Sequence, residues 1–338
     1  MSEVEQPKPI TVLGAGSWGT ALAIHLARAG HDVLLWGNEE EHIKLLAEQR
    51  CNHQYLPDYP FPDSLQLTAG IEDALASPAW VLLAIPSHAY RPFLQENGHL
   101  FKEQIGIAWA SKGLEQGTGK LIHQVVAEEL PRCKKLAVMS GPTFAKEVAE
   151  NLPTSITVAS ESGHFCEELS QYLHSGRFRV YRSSDMIGVE LGGAVKNVLA
   201  IAAGAADGLG FGANTRAALI TRGLAEMMRL GDAMGAHRET FMGLAGMGDL
   251  ILTCTDNQSR NRRTGLLLAQ GKSLEQVKSE IGQAIEGIKT AKEVVNLARK
   301  YKVEVPISEQ VYRVIYEKCP INEAVKALMS RKSSLEII

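Results

Sequence analysis

ITVLGAGSWGTALAIHLARAGHDVLLWG, residues 10–37, carries the chain's clearest structural signature. An apolar, β-branched run from Ile10 to Leu13 leads into Gly14, Gly16 and Gly19, spaced as G-x-G-x-x-G. TALAIHLARAG then has helical periodicity and stops at Gly30, and DVLLWG begins a second apolar run. Strand, glycine turn, helix and strand make a βαβ unit, the setting in which this motif binds the pyrophosphate of a dinucleotide. Gly14 permits the tight turn, Gly16 the approach of phosphate to backbone, and Gly19 the packing of helix on strand. The helix start adds unpaired N–H groups and the positive end of its dipole. Glycines can also merely tighten a turn, but the flanks and the following βαβ unit favour dinucleotide binding.

The same rhythm continues through LQLTA, WVLLAIP, IGIAWAS, LAVMSG, SITVAS and FRVYRS, with amphipathic stretches such as KLIHQVVAEEL between them. Continuous apolar runs such as WVLLAI predict strands covered on both faces, as in a doubly wound sheet. After Asp185 the strand signal stops, and DMIGVELGGAVKNVLAIAAGAA, NTRAALITRGLAEMMRLGDAMG and IEGIKTAKEVVNLARKYK predict long helices. The expected fold is an α/β N-terminal Rossmann-type domain with a mostly parallel doubly wound sheet over residues 1–187. An all-α C-terminal domain carrying the substrate follows over 188–338.

With 35 basic against 38 acidic side chains the net charge is -3, so no global field draws in nucleic acid or an anionic membrane. Positive contacts to an anionic ligand must be local. Cys51, Cys133, Cys166, Cys254 and Cys319 are odd in number and lack a C-x-x-C pair, which fits neither a disulfide framework nor a thiolate zinc site. No metal site is expected, and a reducing cytoplasm is the expected compartment. MSEVEQPKPI has no basic and apolar leader pattern, and no apolar run nears the ~20 residues of a membrane span. A homodimer is left open by the sequence.

Ligands of open parallel sheets bind beyond the carboxyl ends of the strands. Pro86-Ser87-His88, Lys112-Gly113 and Gly141-Pro142-Thr143 follow the fourth, fifth and sixth strands. Most lysines are solvated, but Lys112 stands directly at a strand end and is read as a site residue, whereas His88 reads as a surface histidine. Asn38 ends the second strand, where a carboxylate would grip the ribose of NAD and a basic residue would accept the NADP phosphate. Glu39, Glu40 and Glu41, next in line, suit the first turn of a helix equally well.

Lys196, in ELGGAVKNVLAIAAG, is surrounded by small and aliphatic residues; it is either buried, with a lowered pKa, or snorkels to solvent. Asp249, in LAGMGDLILTC, needs a cationic or N–H partner. In DNQSRNRR, ahead of a helical TGLLLAQG, Ser259, Arg260, Asn261, Arg262 and Arg263 offer N–H groups and an arginine fork for a phosphate. Spacing alone leaves open which arginine turns inward.

GAGSWGTALA, IPSHA, WASKGLE, SGPTFAKE, GVELGGAVKNVLAIAAG, GFGANTRAALITRGLAEM, GLAGMGDLILTCT and SRNRR occur in that order over nearly the whole chain. Together they resemble the bacterial-type NAD(P)-dependent glycerol-3-phosphate dehydrogenases. The resemblance implies reduction of dihydroxyacetone phosphate to glycerol 3-phosphate for phospholipid synthesis. It also implies Lys196 as general acid/base, Lys112 on substrate and cofactor, and Asp249 in the substrate site. Gly141, Thr143, Ser259, Arg260 and Asn261 match substrate-contacting positions. Ser17, Trp18, Asn38, Tyr55, Lys112, Ala145, Arg260 and Glu286 match cofactor-contacting ones. Asn38 departs from the basic residue or histidine often found there; since the strand tip also lacks a carboxylate, NADPH is expected to serve at least as well as NADH.

Two rivals share parts of this pattern. A hydroxy-acid or sugar-acid dehydrogenase would have the same Rossmann domain and active lysine, but SRNRR and Lys112 favour a phosphorylated substrate. A non-catalytic dinucleotide sensor would not need Lys196 and Asp249 in apolar surroundings.

Overall fold

The computed structural model describes residues 9–331. The stretch read as lacking a leader lies, up to residue 8, outside the described residues. The chain divides into two compact units. One comprises the residues up to Ser111, with His123–Met139 and Thr143–Met186; the other comprises Lys112–Ile122, Ser140–Pro142 and the residues from Ile187 onward. The two short excursions into the second unit are not part of a division at a single point, as 1–187 and 188–338 would be.

Among its described residues the first unit holds an eight-stranded sheet. Its strands are β1 Ile10–Leu13, β2 Val33–Trp36, β3 Leu65–Thr68, β4 Trp80–Leu83, β5 Gly106–Trp109, β6 Leu136–Ser140, β7 Thr154–Ala159 and β8 Phe178–Ser183. They lie in the order β3-β2-β1-β4-β5-β6-β7-β8. β1 pairs in parallel with β2 (Ile10 opposite Val33) and with β4 (Thr11 opposite Val81), and the pairs β2–β3, β4–β5 and β5–β6 are also parallel. The chain order therefore reverses at β1, where an open sheet leaves a crevice for a ligand. β7 and β8 are parallel to each other. The hydroxyl of Ser160, just past β7, donates to Leu136 O at the start of β6 (2.5 Å), so β7 runs against β6. The sheet is thus mostly parallel, and β4 and β5 are buried along their whole length, as their unbroken apolar sequences require. A small antiparallel pair, Cys51–Asn52 with Leu56–Pro60, lies outside this sheet and had no clear sequence signal.

The second unit is helical: α2 Met186–Gly208, α3 Ala213–Met234, α4 Asp249–Thr255, α5 Arg260–Ala269, α6 Glu286–Tyr301 and α7 Pro306–Tyr316 form most of it, α1 being Ser17–Arg28 of the first unit. By length and composition α2 could cross a membrane, contrary to the reading that no apolar run comes near that length. Its apolar window is 89% buried within the protein, so it is the core helix of this unit. Small residues let neighbours approach it closely. A Cβ at Gly204 would lie 1.9 Å from Arg262 O, and one at Gly192 would lie 2.6 Å from Ala245 O, so α5 and the turn before α4 both rest on the backbone of α2. All five cysteines are buried and free.

Candidate active site

At the glycine turn, Gly14 has φ +122, and a Cβ there would meet Ala84 O at 2.7 Å. A Cβ at Gly19 would lie 1.9 Å from Gly14 O, which explains why the helix can start so close to the strand. Gly16 differs, since a Cβ would meet nothing within 4 Å, which leaves room for a ligand against the backbone. The first intrahelical bond is Thr20 N–H to Gly16 O, so the N–H groups of Ser17, Trp18 and Gly19 have no partner within the helix. The hydroxyl of Ser17 donates to Tyr55 O (2.7 Å), which brings these two candidates together. Trp18 Nε1 is buried and finds no partner among the described residues. Open space over Gly16, free helix-start N–H groups and an orphaned indole N–H fit a dinucleotide phosphate and its ribose.

Asn52 was missed by sequence reasoning. Fully buried, it donates to Ala15 O (3.0 Å) and Thr20 Oγ1 (2.9 Å) and accepts from Tyr55 N–H (3.2 Å), bracing both sides of the turn. Its only sequence cue is an asparagine in a short polar loop. Asn38 is exposed at the end of β2. Glu40 and Glu41 are paired with Lys44 at 2.8 and 3.1 Å on the helix Glu40–Gln49, as surface acids of a first turn. His88 is exposed, and Thr143 and Ala145 are half-buried just before and at the start of the helix Ala145–Ala149.

In the second unit Lys112, Lys196 and Asp249 meet. Lys196 Nζ donates to Asp249 Oδ1 (2.8 Å) and Thr253 Oγ1 (2.7 Å). Lys112 Nζ donates to Asp249 Oδ2 (2.6 Å) and Gly141 O (2.9 Å). One carboxylate thus holds two ammonium groups, one on each oxygen. Asp249 is 0% exposed and Lys196 7%, which decides against the snorkelling alternative. Burial drives Lys196 down to about 8, with Asp249 pulling it back up and the Lys112 ammonium pushing it further down. Burial pushes Asp249 up, but the two lysines outweigh it and hold this carboxyl below the usual range. Thr253, one turn beyond Asp249 on α4, was also missed; its i,i+4 spacing from Asp249 was the available signal.

SRNRR begins its helix at Arg260, earlier than TGLLLAQG suggested, because Ser259 caps it: the Ser259 hydroxyl accepts from Arg262 N–H. Arg262 is the arginine that turns inward. It is buried and donates to Asp207 Oδ2, Asn257 Oδ1 (3.0 Å) and Cys254 O (3.1 Å), so it anchors the helix. Arg260 is exposed, with a long bond to Gln283 Oε1 (3.2 Å), and remains available. Asn261 donates to Asn197 Oδ1 (2.8 Å) and accepts from Gly287 N–H (2.9 Å). Its side chain therefore ties α5 to the residue after Lys196 and to the start of α6, while its backbone N–H stays with the helix start. Glu286, half-buried, is the first residue of α6.

A mostly parallel sheet reversing at a glycine turn in one unit, and a buried lysine–carboxylate cluster in the other, are the parts of a two-domain, dinucleotide-dependent oxidoreductase acting on a CH–OH group. Residues 9–166 match the family described as NAD-dependent glycerol-3-phosphate dehydrogenase N-terminus, and residues 185–326 match its C-terminus. The chain belongs to this family. It is 55% identical over 328 residues to glycerol-3-phosphate dehydrogenase [NAD(P)+] of Pseudoalteromonas translucida, covering 97% of this chain and 98% of that one. The crystal structure of glycerol-3-phosphate dehydrogenase from Coxiella burnetii superposes with a TM-score of 0.93 at 48% identity, covering 96% of this chain and 99% of that one. Glycerol-3-phosphate dehydrogenase GPD1 from Sacharomyces cerevisiae gives 0.82 at 27% identity, with 96% and 99% covered.

Proposed function

We propose that this enzyme reduces dihydroxyacetone phosphate to sn-glycerol 3-phosphate for phospholipid synthesis, using NADPH at least as well as NADH. The observation that carries the reading is the 2.8 Å bond from Asn261 to Asn197. It ties the start of an anion-binding helix to the residue beside the buried Lys196, so phosphate and ketone of one small substrate are served within a single unit.

The substrate phosphate is held by the Arg260 guanidinium and the N–H groups of Arg260 and Asn261 at the start of α5, Ser259 holding that start in shape. The ketone oxygen receives its proton from the Lys196 ammonium. Lys112 brings a second positive charge that polarises the carbonyl and steadies the developing alkoxide, and Asp249 holds both ammonium groups in place. Gly141 and Thr143 border the substrate, the Gly141 carbonyl fixing Lys112. The turn of Gly14, Gly16 and Gly19 holds the dinucleotide with Ser17, Trp18, Asn38, Tyr55 and Ala145, joined by Lys112, Arg260 and Glu286. A bound nicotinamide supplies hydride for the ketone carbon.

The domains in this reading are residues 1–187 for the dinucleotide and 188–338 for the substrate, the latter helped by the two excursions. Five buried free thiols support a reducing, cytoplasmic setting. A spectrophotometric assay at 340 nm, with dihydroxyacetone phosphate and each reduced cofactor in turn, tests the reading. Oxidation of NADPH at a rate at least matching NADH is expected, and no oxidation of either contradicts it.

A further inference from the structure

Lys112 comes from a segment, Lys112–Ile122, that joins the second unit far from that unit's other residues in sequence. Leu114 and Leu121 are buried in the core of this unit, and the segment closes on itself through Glu115 N–H to Lys120 O (2.9 Å) and Gly119 N–H to Glu115 O (3.0 Å). At its tip, Gly117 N–H donates to Glu293 Oε1 (3.0 Å). Gly119 rests on Leu297, where a Cβ would lie 3.2 Å from Leu297 Cγ. Glu293 and Leu297 are one turn apart on α6, the helix whose Gly287 N–H binds Asn261 and through it Asn197. One helix therefore grips the segment carrying Lys112 at its middle and the neighbour of Lys196 at its start.

Glu293 is 3% exposed, and its Oε2 finds no partner among the described residues. A buried carboxylate with a single amide donor is a costly acceptor, and a neutral oxygen at the same reach would serve stability better. What this side chain contributes is therefore the length that reaches Gly117. We propose that Glu293 is a positioning residue for the reduction, holding Lys112–Ile122 on α6 so that the Lys112 ammonium stays on Asp249. The inference rests on the role given to Lys112 above. Glu293 acts through Lys112.

Two near-isosteric variants separate reach from charge. Glu293→Gln keeps the reach without the charge, and Glu293→Asp keeps the charge but falls one methylene short. Glu293→Asp should lower kcat/KM for dihydroxyacetone phosphate by roughly ten- to a hundredfold, the scale of a small misplacement at a reacting centre. The groups facing Lys196 are Asp249, Lys112 and Cys254. Withdrawing the Lys112 charge should move the high-pH limb of reduction upward, a change that loss of packing alone would not produce. Glu293→Gln should match the wild type in both readouts and unfold at no lower temperature. In a Lys112→Met background the Glu293→Asp loss should disappear. The inference is overturned if Glu293→Gln is impaired as much as Glu293→Asp or more. It is equally overturned if Glu293→Asp behaves as wild type, or if its loss persists without Lys112. Absent wild-type turnover counts against the proposed function itself; normal wild-type turnover with an unaffected Glu293→Asp counts against this inference alone.

Discussion

Lys196 sits where its proton can be given up near neutral pH, and the reasons are separable. Burial lowers its pKa to about 8, against the pull of Asp249 and with the help of Lys112. Reduction needs the ammonium and oxidation needs the amine. The rate of reduction should therefore fall as pH rises through about 8, while oxidation rises through the same region; pH profiles of kcat/KM in the two directions check this. Asp249→Asn keeps the shape but removes the charge that opposes the lowering of Lys196. The same limb should then move to lower pH, with reduced turnover at neutral pH. At the tip of β2, Asn38→Asp would offer a carboxylate to the ribose hydroxyls and should shift the ratio of NADH to NADPH activity towards NADH. An unchanged ratio of the two kcat/KM values would remove Asn38 from the cofactor site.

The start of α5 shows how one short motif divides into two tasks. Arg260 is exposed and available, and Arg262 is buried on Asp207. Arg260→Ala should raise KM for dihydroxyacetone phosphate by the equivalent of about 1.5 to 3 kcal/mol, the worth of a hydrogen bond to a charged group, with the unfolding temperature unchanged. Arg262→Ala removes the buried bonds to Asp207, Asn257 Oδ1 and Cys254 O while Arg216 still pairs with Asp207 (2.7 Å), so thermal unfolding should record a clear fall in Tm. Should the two variants exchange these signatures, the assignment of binding and anchoring is reversed. At the glycine turn, Gly19→Ala sets a Cβ at 1.9 Å from Gly14 O. It should abolish dinucleotide binding measured by fluorescence titration, since neither the strand end nor the helix start can withdraw.

Across the whole molecule, what the sequence revealed followed from local chemistry. The central strands β4 and β5 are continuous apolar runs, the edge strands β3 and β8 alternate with polar residues, and the glycine turn carries its flanks with it, so all could be read from short windows. Lys196 and Asp249 stood out because polar groups in apolar stretches need partners. Their meeting could not be read from spacing, for Lys112 and Asp249 are 137 residues apart and the excursion that brings Lys112 into the helical unit leaves no mark in composition. The cues at Asn52 and Thr253 were weak for a related reason: what gives each its importance, the Asn52 bonds to Ala15 and Thr20 and the Thr253 bond to Lys196, joins residues that only the fold brings near. The family resemblance supplied roles that physical reading left even, such as the choice between a buried and a snorkelling Lys196.

If Lys196 is the proton donor and acceptor in the reduction of dihydroxyacetone phosphate, its replacement must cost turnover in both directions. The most direct measurement is turnover of Lys196→Met beside the wild type, in both directions, on protein verified by thermal unfolding and by cofactor titration. Loss of a general acid/base predicts a fall in kcat of about 10² to 10⁴ with cofactor affinity preserved. A folded, cofactor-binding Lys196→Met enzyme that keeps near wild-type turnover in both directions would contradict it.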